Sequence, residues 1–336
     1  MSKTLALVGN PNCGKTTLFN ELTGSSQYVG NWPGVTVEKK AGKLKGHSDI
    51  EVMDLPGVYS LSPYTLEEVI TRDYLLEERP SVIVNIVDAS NLERNLYLTT
   101  QILELGIPVV VALNMMDIIR KNGDEINIAN LAGELGCPVY PIEAANGVGL
   151  AEMLKEAISL AEMKIKTYSL PLFKGNLNKT LKEIERLFDD EIPEHLRSWF
   201  AVKLFERDEK VLAKHKMFHN MRVKTEQIIT QYEDEVDDDA ESIITNARYE
   251  YISSIINRCI TKKRKSHELS TSDKIDRILT NRILALPIFF LIMWFVYYVS
   301  IQTLGDLSTG FMEDTFAAIS DSLGGMMEEA GVSATL

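Results

Sequence analysis

The stretch that decides the fold is GNPNCGKTT, at residues 9–17. It matches the pattern GxxxxGK[ST] and follows LALV at residues 5–8, an apolar run that is typical of a buried strand. A glycine-rich loop between a strand and a helix presents backbone N–H groups to phosphate oxygens. Lys15 can then reach the β and γ phosphates, and the Thr16 hydroxyl can bind Mg²⁺. The loop therefore predicts a nucleotide-binding α/β fold.

Short apolar runs continue along the chain at the spacing of alternating strands and helices. They are IEVM at 50–53, VIVNIV at 82–87, VVVAL at 109–113 and VYPI at 139–142. This alternation predicts a mostly parallel, doubly wound sheet with helices on both faces. We place the first domain, of the P-loop type, at residues 1–166.

Two further motifs follow in the order found in GTPases. DLPG at 54–57 ends the IEVM run, so Asp54 can hold a Mg²⁺-bound water and the Gly57 N–H can contact a γ-phosphate. NMMD at 114–117 ends VVVAL, where the Asp117 carboxylate can accept two hydrogen bonds from guanine N1 and N2. Adenine lacks that donor pair, so the order of motifs predicts a Mg²⁺-dependent GTPase that binds GTP and GDP.

The base-binding motifs depart from the usual pattern at two places. Met115 stands where a lysine normally packs on the base, and Glu143-Ala144-Ala145 stand where many GTPases have Ser-Ala-Lys. The Ala144 backbone is still expected to meet guanine O6. The complete predicted nucleotide site is Gly9, Asn10, Asn12, Cys13, Gly14, Lys15, Thr16, Thr17, Asp54, Gly57, Asn114, Met115, Asp117, Glu143, Ala144 and Ala145.

Three residues are expected to act in hydrolysis: Lys15, Gly57 and Thr36. Thr36 is chosen as the effector-loop threonine because GVTV in NWPGVTVEKK leads into a predicted strand, and a plain strand-start threonine is the alternative. The residue after DLPG is Val58 rather than the glutamine that orients attacking water in Ras-type enzymes. Turnover is therefore expected to be slow, on the order of 10⁻⁴ to 10⁻² s⁻¹.

Two cations are expected beside the phosphates. Thr16, Thr36 and Asp54 are the predicted Mg²⁺ ligands. The side-chain oxygen of Asn10 could hold a monovalent cation, and an asparagine that only shapes the loop is the alternative.

The composition changes after Pro171, where strand-like runs give way to apolar residues at helical spacing, such as Leu177, Leu181 and Ile184. This periodicity predicts a small all-α domain over residues 167–262. The chain as a whole carries 35 Lys and Arg against 48 Asp and Glu, a net charge of −13. Such a field repels phosphate backbones, so no nucleic acid partner is expected.

The run ILALPIFFLIMWFVYYVSIQTL, at 283–304, has no charged residue. As a helix it would be long enough to cross a hydrocarbon core of about 30 Å. We predict a transmembrane helix there, with a buried soluble helix as the alternative. The basic stretch at 263–282 is predicted to be a juxtamembrane linker that keeps residues 1–282 in the cytoplasm. Residues 305–336 are expected to begin a longer membrane region.

Together, GNPNCGKTTLFN, NWPGVTVEKK, DLPGVYSL and NMMD resemble the amino-terminal portion of the FeoB family of bacterial ferrous iron transporters. The resemblance implies a GTPase domain, a helical domain that enhances GDP binding, and a region of the bacterial inner membrane that moves Fe²⁺ inward. It also implies K⁺-stimulated hydrolysis with Asn10 as the K⁺ ligand, a homo-oligomer, and small Feo accessory proteins as partners. Since family members have several further spans, the sequence is expected to be part of a longer protein.

Two alternatives remain at this stage. One is a nucleotide-gated switch that requires no hydrolysis step, which the missing glutamine favours. The other is a soluble assembly GTPase acting on ribosomes or tRNA, for which a basic RNA-binding domain would be expected in place of this acidic one.

Overall fold

The computed structural model describes residues 3–24, 27–162, 170–188, 192–215, 218, 221–261 and 285–329. The chain divides into two compact units, Met1–Arg264 and Lys265–Leu336. In the first unit, a sheet part precedes a helical part. The sheet part contains β1 (Lys3–Gly9), α1 (Lys15–Thr23), β2 (Gln27–Asn31), β3 (Glu38–Leu44), β4 (His47–Asp54), α2 (Leu66–Glu77), β5 (Val82–Asp88), α3 (Leu92–Leu103), β6 (Val109–Asn114), α4 (Met116–Asn122), β7 (Glu125–Ile126), α5 (Ile128–Leu135), β8 (Val139–Pro141) and α6 (Leu150–Ala161).

The main sheet has seven strands in the order β2-β3-β4-β1-β5-β6-β8. The five strands from β4 to β8 in that order pair in parallel, whereas β2 and β3 form an antiparallel edge. This is the P-loop GTPase fold, as predicted from the motif order. The central strands are buried on both faces, because helices cover each side, and β5 is buried at all seven positions.

The parallel order determines where the loops meet. The carboxyl ends of neighbouring parallel strands lie at one edge of a sheet, and ligands of such folds bind in the crevice outside that edge. The segments that follow β1, β4, β5, β6 and β8 are the glycine-rich loop, DLPG, Asp88, NMMD and Glu143-Ala144-Ala145. The sheet therefore brings together motifs that are far apart in the sequence.

The helical part consists of α7 (Gly175–Glu185), α8 (Glu194–Phe205), α9 (Glu209–Lys214), α10 (Arg222–Val236) and α11 (Ala240–Cys259), followed by β9 (Ile260–Thr261). Its centre is aromatic: the Trp199 ring lies edge-on to Phe200, with ring centroids 5.0 Å apart, and Phe200 in turn contacts Phe218. The short strand β9 pairs antiparallel with β7, which joins the end of the helical part to the sheet part.

Two buried arginines fasten the helical part to the sheet part. Arg72 on α2 donates to Asp208, which caps α9, at 2.9 Å, and each side chain is only 2% exposed. Arg248 on α11 is fully buried and donates to Glu104, just after α3, at 2.8 Å. Since an isolated buried charge is costly, each pair favours one docking arrangement of the two parts.

In the second unit, the described residues do not show the single continuous α-helix predicted over 283–304. Its described residues form α12 (Ala285–Tyr297), a π-helical stretch at Tyr298–Gly305, and α13 (Asp306–Glu329). Within the described parts of the chain, no helix is both long and apolar enough to cross a membrane. The helix type changes from α to π after Tyr297, within the apolar run. Residues 283 and 284, and the predicted linker at 263–282, lie outside the described residues.

Candidate nucleotide-binding site

The glycine-rich loop requires glycine at two positions. Gly14 has φ +96°, and a Cβ there would lie 2.3 Å from Asn114 Nδ2. A Cβ at Gly9 would lie 2.6 Å from the carbonyl oxygen of Ile86 on β5. Neither contact leaves room for a side chain, so the loop can approach its neighbours closely only with glycine at both positions.

The first residue of α1 and the last residue of β4 meet at this loop. The Lys15 ammonium lies 2.5 Å from the Asp54 carboxylate, and both side chains are almost buried. The Val58 N–H donates to the Gly9 carbonyl at 3.2 Å, and a Cβ on Gly57 would lie 3.3 Å from Pro11 Cα. DLPG therefore lies directly against the glycine-rich loop.

Asn114 joins three loops through one buried side chain. Its Nδ2 donates to the Cys13 carbonyl at 2.9 Å, and its Oδ1 accepts from the Ala144 N–H at 3.0 Å. The Ala144 N–H donates to Asn114 in the structure, and its predicted contact with guanine O6 stays a prediction. Asp117 lies half-buried in the first turn of α4, and Met115 precedes it with φ +64°.

The remaining loop residues differ in exposure. Asn12 is exposed in the glycine-rich loop, Thr16 and Thr17 are exposed at the start of α1, and Ala145 is exposed beyond β8. Cys13 is buried, and burial raises the pKa of its thiol to about 11. Its side chain therefore stays a neutral thiol and fills space beneath the loop.

Asn10 shows an unusual feature for a buried amide. The residue is 3% exposed, and within the described part of the chain neither its Oδ1 nor its Nδ2 has a hydrogen-bond partner. Leaving both groups unpaired is costly. A side-chain oxygen in this condition fits a cation ligand, so the donor chemistry agrees with the predicted role of Asn10, which stays a prediction.

Thr36 lies in the exposed turn between β2 and β3. The turn is closed by a hydrogen bond from the Trp32 N–H to the Val37 carbonyl at 2.9 Å. The Trp32 ring packs edge-on against Tyr74 of α2, with centroids 5.4 Å apart. The structure therefore links this turn to α2, and the metal-binding role of Thr36 stays a prediction.

Several polar residues near the site belong to none of the motifs recognised in the sequence. Asp88 is the last residue of β5 and accepts from the Ser90 N–H and from Asn91 Nδ2, both at 2.8 Å, which fixes the turn there. Arg120 and Asn146 both contact the Glu143 carboxylate. The only sequence signal for Arg120 was its place three residues after the aspartate of NMMD, which puts it one helical turn further along α4.

A parallel sheet with these motifs at the carboxyl edge of its strands defines a P-loop GTPase-fold domain, or G domain. Two family models match the chain: "Ferrous iron transport protein B" over residues 3–157 and "FeoB cytosolic helical domain" over residues 173–261. A structure of a GDP-bound mutant of the S. thermophilus FeoB G-domain is 42% identical to the chain, with a TM-score of 0.74. The alignment covers 77% of this chain and all of that one. The chain belongs to the FeoB family.

Longer relatives agree with this membership. The Fe(2+) transporter FeoB of Escherichia coli strain K12 is 39% identical over 319 residues, which is 92% of this chain and 40% of the relative. An Fe(2+) transport protein A/Fe(2+) transporter FeoB fusion protein of Porphyromonas gingivalis is 39% identical over 87% of this chain and 36% of its own length. The chain thus spans about two fifths of the length of these relatives.

Proposed function

We propose that the first domain, placed at residues 1–166, binds guanine nucleotides and slowly hydrolyses GTP, and that it serves as the cytoplasmic GTPase module of a ferrous iron transporter. The observation that carries the proposal is the double contact of Asn114, which ties the glycine-rich loop to the Ala144 loop at one edge of the sheet. The same edge holds Asp117, and a related G domain is described as GDP-bound.

Different residues of the site would contact the phosphates and the base. Backbone N–H groups from Gly14 to Thr16 and the Lys15 ammonium would hold the β and γ phosphates. The Asp117 carboxylate would accept from guanine N1 and N2, and the Gly57 N–H would touch the γ-phosphate. In hydrolysis, water attacks the γ-phosphorus and loses a proton, while the bond to the β–γ bridging oxygen breaks to give GDP and inorganic phosphate.

The donor set suits two cations beside the phosphates. Thr16, Thr36 and Asp54 offer the hard oxygen ligands that Mg²⁺ prefers, and Asn10 offers a buried amide oxygen for K⁺. When bound, these ions would neutralise charge on the phosphate oxygens. Lys15 and Asp54 already face each other at 2.5 Å, so a phosphate and its metal ion would have one cationic and one anionic protein neighbour.

The test of function is phosphate release by the 336-residue chain in mild detergent. We expect slow, Mg²⁺-dependent release from GTP, none above background from ATP, and faster release in KCl than in NaCl at equal ionic strength. Asn10→Ala should remove the difference between the two salts. Equal use of GTP and ATP would contradict the guanine site, and a K⁺ effect that survives Asn10→Ala would contradict the role of Asn10.

Asp117→Asn should change the base that the site prefers. The amide offers a donor where guanine also presents donors, so GDP affinity should fall at least about 100-fold while XDP, which has an oxygen at C2, gains affinity. Titration of the chain with fluorescent GDP and XDP measures both changes. Asp49→Asn, an exposed aspartate on β4, is the matched control. An unchanged GDP-to-XDP ratio would remove Asp117 from the base site.

One observation favours a second candidate function, a nucleotide-gated switch without a required hydrolysis step. Val58, at the position of the water-orienting glutamine in Ras-type enzymes, is 2% exposed and belongs to the core. Binding of GTP without measurable release of phosphate, in KCl as well as NaCl, would favour this candidate over the first.

The remaining assignments concern the whole protein, of which this chain is a part. We propose that it carries Fe²⁺ across the bacterial inner membrane, with residues 1–282 in the cytoplasm, and that a second domain at 167–262 enhances GDP binding. The names of the relatives support Fe²⁺ as the transported ion. The Porphyromonas gingivalis fusion supports small Feo accessory proteins as partners. Exposed apolar side chains on α12, such as Leu286, Phe290 and Trp294, are compatible with contact with the lipid bilayer. A homo-oligomer is also proposed, from family resemblance alone.

A further inference from the structure

Two separate segments form the walls of the proposed guanine site. One is α4, which carries Asp117 in its first turn, and the other is the loop from Glu143 to Gly149. The Asn114 amide reaches the second segment, but it comes from β6, before α4 begins. The Asn114 contact therefore does not connect the loop to α4 itself.

An ion pair between Arg120 and Glu143 connects the loop to α4. Arg120, three residues after Asp117 on α4, contacts Glu143 Oε1 through its Nη2. Asn146 Nδ2 donates to the other carboxylate oxygen, Oε2, at 3.0 Å. Both oxygens of Glu143 are thus engaged, one by α4 and one by the loop itself.

The loop that carries Glu143 is also closed on its own backbone. The Glu143 N–H donates to the Val148 carbonyl at 3.1 Å, and the Val148 N–H donates back at 3.3 Å. Gly149 then turns the chain into α6 with φ +76°, where a Cβ would lie 2.3 Å from the Pro141 carbonyl oxygen. A closed loop of this kind can move as one body, so a tie at Glu143 also restrains Ala144 and Ala145.

Burial and charge favour a lasting contact at Glu143. Its side chain is 11% exposed, whereas that of Arg120 is 65% exposed. The hydrogen bond from Asn146, followed by that from Arg120, lowers the pKa of the Glu143 carboxyl below its usual range. Glu143 therefore stays ionised around neutral pH, and charge-assisted hydrogen bonds are the stronger kind.

We propose that Arg120, Glu143 and Asn146 form a clasp that holds the Ala144-Ala145 loop against α4 and so slows the release of the guanine nucleotide. The inference rests on the proposed function, since it concerns the same base site. The three residues are positioning residues: they act through Ala144, Ala145 and Asp117, which are the groups expected to touch the base.

The expected effect is modest because Arg120 is largely exposed. Exposed ion pairs contribute little, so opening the clasp should speed release about two- to fivefold. High salt should reduce the difference between the parent and the variants, since salt screens exposed charges. The association rate should change less, because none of the three residues belongs to the glycine-rich loop that is expected to hold the phosphates.

The test is the dissociation of fluorescently labelled GDP from the 336-residue chain in mild detergent, chased with excess GDP in a stopped-flow instrument. The variants are Arg120→Gln, Glu143→Gln and the double variant, with Lys121→Gln, an exposed neighbour on α4, as the control. We expect faster release for each single variant, no further increase for the double variant, and parent-like release for the control. Arg120→Lys, which keeps the positive charge, should release GDP more slowly than Arg120→Gln and so retain part of the parent's slow release.

The outcomes separate this inference from the proposed function. A parent chain that does not bind labelled GDP would overturn the proposed function itself. A parent that binds, with clasp variants that release GDP at the parent rate, would overturn the clasp alone, as would single effects that add in the double variant. Thermal unfolding without nucleotide should give the same midpoint for all variants, which excludes general loss of structure as the cause of faster release.

Discussion

Lys15→Ala should abolish binding of guanine nucleotides at micromolar concentrations. The substitution removes the ammonium group that is expected to contact the β and γ phosphates, and it leaves the Asp54 carboxylate, 6% exposed, facing them instead. Truncating one member of a buried charge pair costs about 2–5 kcal/mol, which is roughly 30- to 4,000-fold in affinity. We therefore expect GDP affinity to fall on the order of 100-fold or more, measured by titration with labelled GDP.

The control for this variant is Lys155→Ala on α6, an exposed lysine of the same domain. It should bind labelled GDP like the parent chain. Far-UV circular dichroism without nucleotide should be the same for Lys15→Ala and the parent, since the loop keeps its two required glycines. If folded Lys15→Ala bound GDP within threefold of the parent, Lys15 would not hold the phosphates and the proposed site would be wrong.

Arg72→Met should destabilise the first unit by about 3–5 kcal/mol, because it leaves the Asp208 carboxylate buried without its cation. Asp208→Asn should cost a similar amount, since the amide can still cap α9 but leaves the Arg72 guanidinium without its carboxylate. The measurement is urea unfolding of the 336-residue chain, followed by circular dichroism. The free energy of unfolding comes from the midpoint and slope of the first transition.

An exposed ion pair on the same helices gives the matched control. Lys214 on α9 contacts Asp73 on α2 at 2.9 Å, but its side chain is 40% exposed. Lys214→Met should therefore cost less than about 1 kcal/mol. The double variant Arg72→Met with Asp208→Asn should cost clearly less than the sum of the two single variants. Equal costs for the buried and the exposed pair would show that burial does not decide the strength of this contact.

The sequence predicted the parallel strands well because each is a continuous apolar run. LALV, VIVNIV, VVVAL and VYPI all lie within or overlap the observed strands β1, β5, β6 and β8. At the antiparallel edge, the strand after GVTV was expected and is β3, whereas β2 (QYVGN) was missed because it is largely exposed and gives no apolar run. Exposure on an edge strand removes the signal on which such predictions depend.

The site was predicted in part, because its motifs are local and its supports are not. GNPNCGKTT and NMMD can be recognised within nine residues or fewer, and the sheet brings them together as expected. Arg120 and Glu143 are 23 residues apart, and Arg72 and Asp208 are 136 residues apart. No periodicity connects such pairs, so only the folded chain reveals them. The roles of individual site residues stay predictions.

The apolar run at 283–304 shows what a hydropathy pattern does not record. The run at 283–304 has no charged residue, and that count cannot register a change of helix type. The π-helical stretch at Tyr298–Gly305 divides the run after thirteen α-helical residues. The described segment therefore differs from the predicted single α-helix in its backbone hydrogen-bonding pattern.

The two-stranded ladder of β7 and β9 makes the helical part a closed excursion of the chain. Glu125 pairs with Thr261, Ile126 pairs with Ile260, and the Asn127 N–H donates to the Cys259 carbonyl at 2.8 Å. Among the described residues, the helices α5 to α11 and the strand β8 lie between β7 and β9, and the chain then returns to pair with β7. Because β9 is held by its pairing with β7, a longer or replaced helix in the helical part would leave the position of β9 unchanged. The last described residues of the helical part, Ile260 and Thr261, consequently lie against β7, the strand that directly follows α4.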